Sequence, residues 1–166
     1  MKRWIIRIII LAVIVMVGLW GWRKFFPSPD KVIRARLEQV SKLISFDSNE
    51  GGIARMSNIL KLTGCFTTDA DCAIDTTDMG PVYFQGRNAI RDAAMAARSR
   101  LNSLKVDFFD IAVTFAPDNL TATANLTVRV GVPSDKDFYV KQAKFTLTKV
   151  DGDWLISHVE TLKTFQ

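Results

Sequence analysis

The chain opens on an apolar run. From Trp4 to Trp22 only Arg7 carries a charge. As a helix these residues rise about 28 Å, close to the hydrocarbon thickness of a bilayer. Arg7 sits near one end, where its long stem carries the guanidinium to the headgroups. Trp4 at one end and Trp20 and Trp22 at the other suit the two interfaces, and Arg23 and Lys24 stop the segment. Residues 1–24 therefore read as a transmembrane signal anchor with basic flanks, followed by a short linker over 25–29. A cleaved signal peptide is the rival reading, but the run ends in Val-Gly-Leu-Trp-Gly-Trp, with bulky Trp where small residues would precede a cleavage site. A buried soluble helix is disfavoured because no polar face interrupts Ile8 to Leu19. Basic residues flank both ends and do not decide orientation. The short N-terminal tail favours an N-terminus inside and a C-terminal domain outside, a single-pass membrane protein with an extracytoplasmic domain.

Beyond the linker the pattern takes a helical period. Ile33, Leu37, Val40 and Ile44 form one stripe, with Ser28 as a cap and Pro29 in the first turn. The Asp47–Gly52 run breaks the chain, and a second helix spans about Ile53 to Leu62, with Gly64 as its C-cap. Asp71 to Thr77 and Val82 to Gln85 read as a short strand pair around Gly80-Pro81. A third helix follows Gly86, its inner stripe being Ile90, Ala94, Ala97, Leu101 and Leu104. Its small Ala residues would let it lie close on a sheet.

The period then changes to two. Phe109, Ile111, Val113 and Phe115 alternate with Phe108, Asp110, Ala112 and Thr114. Leu120 to Val132 alternates without a slip. Phe138 to Val150 places Ala143, Phe145 and Leu147 inward, and Asp151-Gly152 is a hairpin signal before a last strand from Trp154 to Thr164. Helices first and a four-strand antiparallel meander last is the α+β pattern.

Charge alters the picture only at the N-terminus. The 166 residues carry a formal +5, but Lys2, Arg3, Arg7, Arg23 and Lys24 account for all of it. Removing those five from the 22 basic residues leaves 17, matched by the 17 acids, none of which precedes residue 28. A nucleic-acid protein carries its excess on the folded domain, so nucleic acid is not an expected partner. Cys65 and Cys72 have no His–Cys grouping around them, so no metal is expected. No phosphate loop, nucleophile elbow or metal-binding helix pair occurs, and no cofactor is expected.

Two stretches resemble one superfamily. LKLTGCFTTDADCAIDT with VYFQGRNAIRDAAMAARSRL is similar to the helix, short strand, G-R-x-x-I entry and third helix of the NTF2-like (cystatin-like cone) superfamily and its SnoaL-like branch. FTLTKVDGDWLISHVETLK is similar to its last hairpin, where D-G-x-W-x-I recurs. The resemblance covers residues 30–166. It implies an α+β cone of three helices packed on a curved, mostly antiparallel sheet around a cavity, with dimers through the sheet common. Members include enzymes, ligand binders and assembly modules, so the fold alone does not select a function.

Each candidate residue has a functional and a structural reading. His158, the sole imidazole, alternates with Trp154, Ile156 and Glu160 on one face of the last strand. The resemblance makes it a general base in the cavity, partnered by Asp75 or Asp110; the alternative is a strand histidine at an exposed or dimer surface. Dehydratases of the superfamily use more than one His, and this chain lacks the second. Asp71 and Asp75 share a face of the first strand, where isomerase-like members place a proton-shuttling Asp. Tyr83, Tyr139 and Trp154 are candidates for ligand contact. Equally, these acids suit a solvated strand edge. Cys65 and Cys72 form a disulfide in an oxidising compartment or stay as two small buried thiols. Arg87, Arg91 and Arg98 form a basic stripe that reads as solvated surface. Asn119-Leu120-Thr121 and Asn125-Leu126-Thr127 match glycosylation acceptors.

The leading expectation is a membrane-anchored, non-enzymatic binding or assembly module taking a protein partner or a small apolar ligand. The alternative is a cavity lyase or isomerase working by proton transfer. The layout of one anchor plus one such domain resembles inner-membrane assembly subunits of type IV secretion systems. Thr121, Thr123, Asn125, Thr127 and Arg129, beside Val140, Gln142, Lys144, Thr146 and Thr148, make a moderately polar face suited to a homodimer.

Overall fold

The computed structural model describes residues 28–76, 80–132 and 138–162, and Met16 alone before them. Among the described residues no helix is long and apolar enough to cross a membrane; the run read as an anchor lies outside them. The chain divides into two compact units, Met1–Val32 and Ile33–Gln166, and the second holds the whole of the sheet.

Helix α1 (Pro29–Ile44) buries Ile33, Leu37 and Val40 completely, the stripe expected from its period. Helix α2 (Gly52–Gly64) buries Ile59 and Leu62. Its end is set by Cys65, whose N–H donates to the Leu62 carbonyl at 3.0 Å; Gly64 is the last helical residue and not a left-handed cap. Strand β1 (Phe66–Thr76) pairs antiparallel with β2 (Gly80–Gln85). It begins five residues before the alternating stretch, because a bulge between Phe66 and Asp71 obscures the period. Helix α3 (Gly86–Arg100) follows. Leu104 leaves the stripe expected of that helix and instead exchanges two backbone hydrogen bonds of 2.9 Å with Phe46.

The meander forms as expected: β3 (Lys105–Phe115), β4 (Thr121–Gly131), β5 (Phe138–Val150) and β6 (Asp153–Thr161) pair antiparallel in turn. At the Asp151-Gly152 turn both residues have positive φ, 51° and 94°, the twist that a two-residue hairpin requires. In the β3–β4 hairpin the Asp118 carboxylate accepts from the N–H groups of Leu120 and Thr121, at 2.9 and 3.0 Å. Strand β1 adds in parallel to β6, giving one six-stranded sheet in the order β2-β1-β6-β5-β4-β3.

Two bulges decide which way side chains face. In β3 the register shifts between Phe109 and Ala112, where Asp110 has φ 52°. Val106 is buried before the bulge, and Ile111, Val113 and Phe115 are the more covered residues after it. Phe109, which shares the alternation of those three in the sequence, is 40% exposed. In β6 His158 lies opposite Thr146 while Ile156 lies opposite Leu147, leaving Ser157 as the extra residue. One added residue reverses every side chain beyond it, and bulges also bend a strand. The sheet curls round the helices and its inner face carries the core: Ala122, Ala124 and Leu126 of β4 and Ala143, Phe145 and Leu147 of β5 are all buried. Each buried Leu, Ile or Phe contributes about 1.5–3 kcal/mol relative to exposure.

Candidate functional site

Helix α3 lies on β1 and β2 and stands off the other strands of the curled sheet. Ala93, Ala94 and Ala97 are too small to fill the space beneath them, and a cavity of about 520 Å³ remains. The helix lies close on β1 and β2, as its small residues lead one to expect, and its alanines also line this cavity. Its walls are apolar side chains, among them Phe66, Phe84, Phe108, Val128 and Phe145. Ligand cavities are of this size and character, with a few placed polar groups.

Here those groups are Asp75, Tyr139, Lys141, Thr161 and Arg98. The Asp75 N–H donates to Thr161 Oγ1 at 2.7 Å, and its carbonyl accepts from Lys141 Nζ at 2.9 Å. Lys141 Nζ lies 4.0 Å from the Asp75 carboxylate. Lys141 precedes Ala143 by two, so its parity on β5 is the sequence signal for a cavity position; the signal is easily missed because Lys is rarely buried. Arg98 corrects the reading of a solvated basic stripe. It is 4% exposed, donates to Glu50 Oε2 at 3.1 Å and to the Leu43 carbonyl at 2.6 Å, and lies over the Phe46 ring. Its position eight residues after Ile90, on the inner side of α3, signals as much. Arg87 donates to the Phe66 carbonyl, and Arg91 pairs with Asp92.

His158 lies elsewhere. The bulge at Ser157 separates it from Trp154 and Ile156, which point into the core, and its neighbours Val159 and Thr161 take the cavity side. His158 thus faces outward with Lys144, Thr146 and Glu160. Its Nδ1 stands 2.6 Å from Asp71 Oδ2, and Nε2 stands 3.7 Å from Glu160 Oε2. Glu160 accepts from Lys144 Nζ at 3.0 Å, and that hydrogen bond holds its carboxyl below the usual range. The partner of His158 is Asp71, neither Asp75 nor Asp110. Asp110 sits exposed at the β3 bulge and accepts from Thr127 Oγ1 at 3.4 Å. Tyr139 borders the cavity, whereas Tyr83 is 73% exposed, opposite Ala73 on β2. Trp154 is 3% exposed and packs edge-on against Phe115, which makes it a core residue.

Cys65 and Cys72 are free and buried. Cys72 lines the cavity, where burial pushes its thiol up to about 12. Among the described residues no three His, Cys, Asp or Glu side chains gather as a metal site requires.

The geometry has relatives. A family model described as a SnoaL-like domain matches residues 60–160. A protein of unknown function with a cystatin-like fold from Nostoc punctiforme superposes with a TM-score of 0.62 at 12% identity, covering 82% of this chain and 91% of its own. An NTF2-like protein of unknown function from Pseudomonas putida gives 0.62 at 15% identity, covering 81% and 85%. A proposed scytalone dehydratase from Novosphingobium aromaticivorans gives 0.57 at 16% identity, covering 81% and 83%. At such identities the likeness is one of fold. No curated protein matches the chain in sequence at a significant level.

Proposed function

Because the chain belongs to the SnoaL-like family, we propose that it is a binding module, which takes a small apolar molecule into the cone cavity without transforming it. One observation carries the reading. The cavity is walled by apolar side chains, while the sole imidazole of the chain faces away from it, paired with Asp71. Proton transfer needs an acid and a base within reach of the same ligand. At the rim Asp75 and Lys141 instead lean on each other, which suits orienting a polar end of a mostly apolar ligand. Residues 1–24 anchor this module in a membrane with the domain outside, and two copies pair through the outer face of the sheet.

The alternative, a lyase or isomerase using His158 with an Asp, draws support from the fold shared with a proposed scytalone dehydratase. It requires His158 to reach a ligand from the outer face. Titration of the full chain with the apolar dye N-phenylnaphthylamine separates the two. The expected result is saturable binding that His158→Asn leaves unchanged and that Ala94→Phe, which fills the cavity, removes. Failure of the dye to bind the unsubstituted chain more than the filled variant overturns the reading. Carbonate extraction with protease protection tests the anchor: a soluble shortened product, or a domain shielded with the cytosol, rejects it.

A further inference from the structure

Charge enters the cavity wall from α3 and from the sheet. On α3, Arg98 is engaged by Glu50 and the Leu43 carbonyl. On the sheet, polar groups of β1, β5 and β6 meet. Strand β6 lies between β5 and β1, and its last residue, Thr161, pairs with Ala143. Lys141 lies beyond that pair on β5 and reaches across to β1, where Nζ donates to the Asp75 carbonyl at 2.9 Å. The Asp75 N–H in turn donates to Thr161 Oγ1 at 2.7 Å. These bonds fix the cluster and leave its side chains with capacity over. Lys141 Nζ has further N–H donors besides the one engaged there. The Asp75 carboxylate stands 4.0 Å from Nζ, beyond hydrogen-bonding distance. Among the described residues neither that carboxylate nor the Thr161 O–H has a hydrogen-bond partner.

An ammonium group offers only donors and a carboxylate only acceptors. A ligand group that satisfies both must accept one hydrogen bond and donate another, as a hydroxyl does. The two charges are opposite and close. A ligand charge of either sign drawn to one therefore meets its like in the other. The remaining wall favours rings. Phe66, Phe84, Phe108 and Phe145 line it, and the last two stand tilted with centroids 5.5 Å apart. Aromatic side chains gain beyond burial alone when another ring packs edge-on or offset against them.

We propose that the cavity selects a neutral aromatic alcohol, with its rings among the phenylalanines and its hydroxyl in the Lys141–Asp75–Thr161 cluster. Lys141 Nζ donates to the hydroxyl oxygen, and the hydroxyl donates to the Asp75 carboxylate. Lys141 and Asp75 are then the pair that sets specificity. A hydrocarbon of the same shape covers both groups without replacing their water, and unmade hydrogen bonds of that kind oppose binding. The inference rests on the binding reading above. It adds which polar group the ligand carries and which residues read it.

The test loads the full chain with N-phenylnaphthylamine and reads its displacement by 2-naphthol, naphthalene, 2-methoxynaphthalene and 2-naphthoate. The methyl ether accepts a hydrogen bond but cannot donate one. The expected result is displacement by 2-naphthol at about tenfold lower concentration than by naphthalene or the ether, the scale of one charge-assisted hydrogen bond at a part-exposed pair. The naphthoate competes worst. Lys141→Met brings 2-naphthol to the level of naphthalene. Asp75→Asn removes the charge opposing an anion at Lys141 and moves 2-naphthoate ahead of 2-naphthol, a gain that a misfolded variant would not show. If the compounds compete alike, if the naphthoate competes best with the unsubstituted chain, or if none displaces a saturably bound dye, the inference is overturned and the binding reading stands. An order that survives both substitutions overturns the assignment to Lys141 and Asp75. Absence of saturable dye binding removes the binding reading, and the inference with it.

Discussion

His158 Nδ1 and Asp71 Oδ2 meet at 2.6 Å across the parallel junction of β6 and β1, on the outer face of the sheet. The pair is open to solvent, with the Asp71 side chain 55% exposed. Exposed pairs of this kind contribute about 0–1 kcal/mol. His158→Asn is accordingly expected to move the denaturation midpoint little and to leave uptake of an apolar dye unchanged, measured by urea titration and fluorescence. Loss of dye binding in this variant would place the imidazole in the site.

Arg98 and Glu50 behave differently, because both are buried. Removing Arg98 leaves the Glu50 carboxylate with Asn58 and the more distant, half-exposed Arg55 at 3.9 Å, a loss toward the lower end of about 3–5 kcal/mol. Arg98→Met is expected to destabilise the domain on that scale in chemical denaturation. Arg98→Met with Glu50→Gln should recover part of it. A single variant as stable as the parent would show that water reaches Glu50.

Gly131 is required by a neighbour. A Cβ built there comes within 2.8 and 2.9 Å of the Phe138 ring, which lies across it. The same ring stacks on Arg129, whose other side meets Phe109. Gly131→Ala should cost about 1–3 kcal/mol, the scale of overpacking. Adding Phe138→Ala should return most of that loss. Thermal denaturation of the two variants checks the coupling.

Asp118 and Cys72 contribute to the pH dependence of stability at its acid and alkaline ends. Backbone N–H groups of Leu120 and Thr121 hold the Asp118 carboxyl below its usual value. Its contribution is present above the unfolded carboxyl pKa and is lost as pH falls through the lower folded one. Burial raises Cys72 from 9.0 to about 12. The unfolded thiol ionises first, so stability declines as pH rises between those two values. Iodoacetamide at pH 8 should therefore leave Cys72 unmodified in the folded chain and modify it in denaturant. Asp118→Ala should make the acid limb shallower, and Cys72→Ala the alkaline one.

The outer face of the sheet carries Phe138 and Val140, 63% and 58% exposed, above a row of Thr, Asn and Gln. Pairing of two copies there predicts that Gln142→Cys in the full chain forms a disulfide-linked dimer in membranes under mild oxidation. Val140→Asp should abolish it. Absence of the crosslink in the unsubstituted background of Gln142→Cys rejects the dimer.

Periodicity alone determines most elements of this protein. The helical stripe of α1, the strict alternation of β4 and β5, and the Asp151-Gly152 turn are local properties, in which side-chain direction follows from backbone repeat. Inward residues such as Leu37, Ala124 and Phe145 are legible for that reason. Tertiary structure decides the site. The bulges at Asp110 and Ser157 each add one residue without altering composition, so nothing local announces that Phe109 and His158 turn outward. The pairing of His158 with Asp71 needs the parallel β1–β6 junction, which joins residues 87 positions apart. Likewise the alanines of α3 foretell close packing on a sheet but not the cavity they also line. That cavity depends on how far the sheet curls, a property of six strands together and of no single stretch of chain.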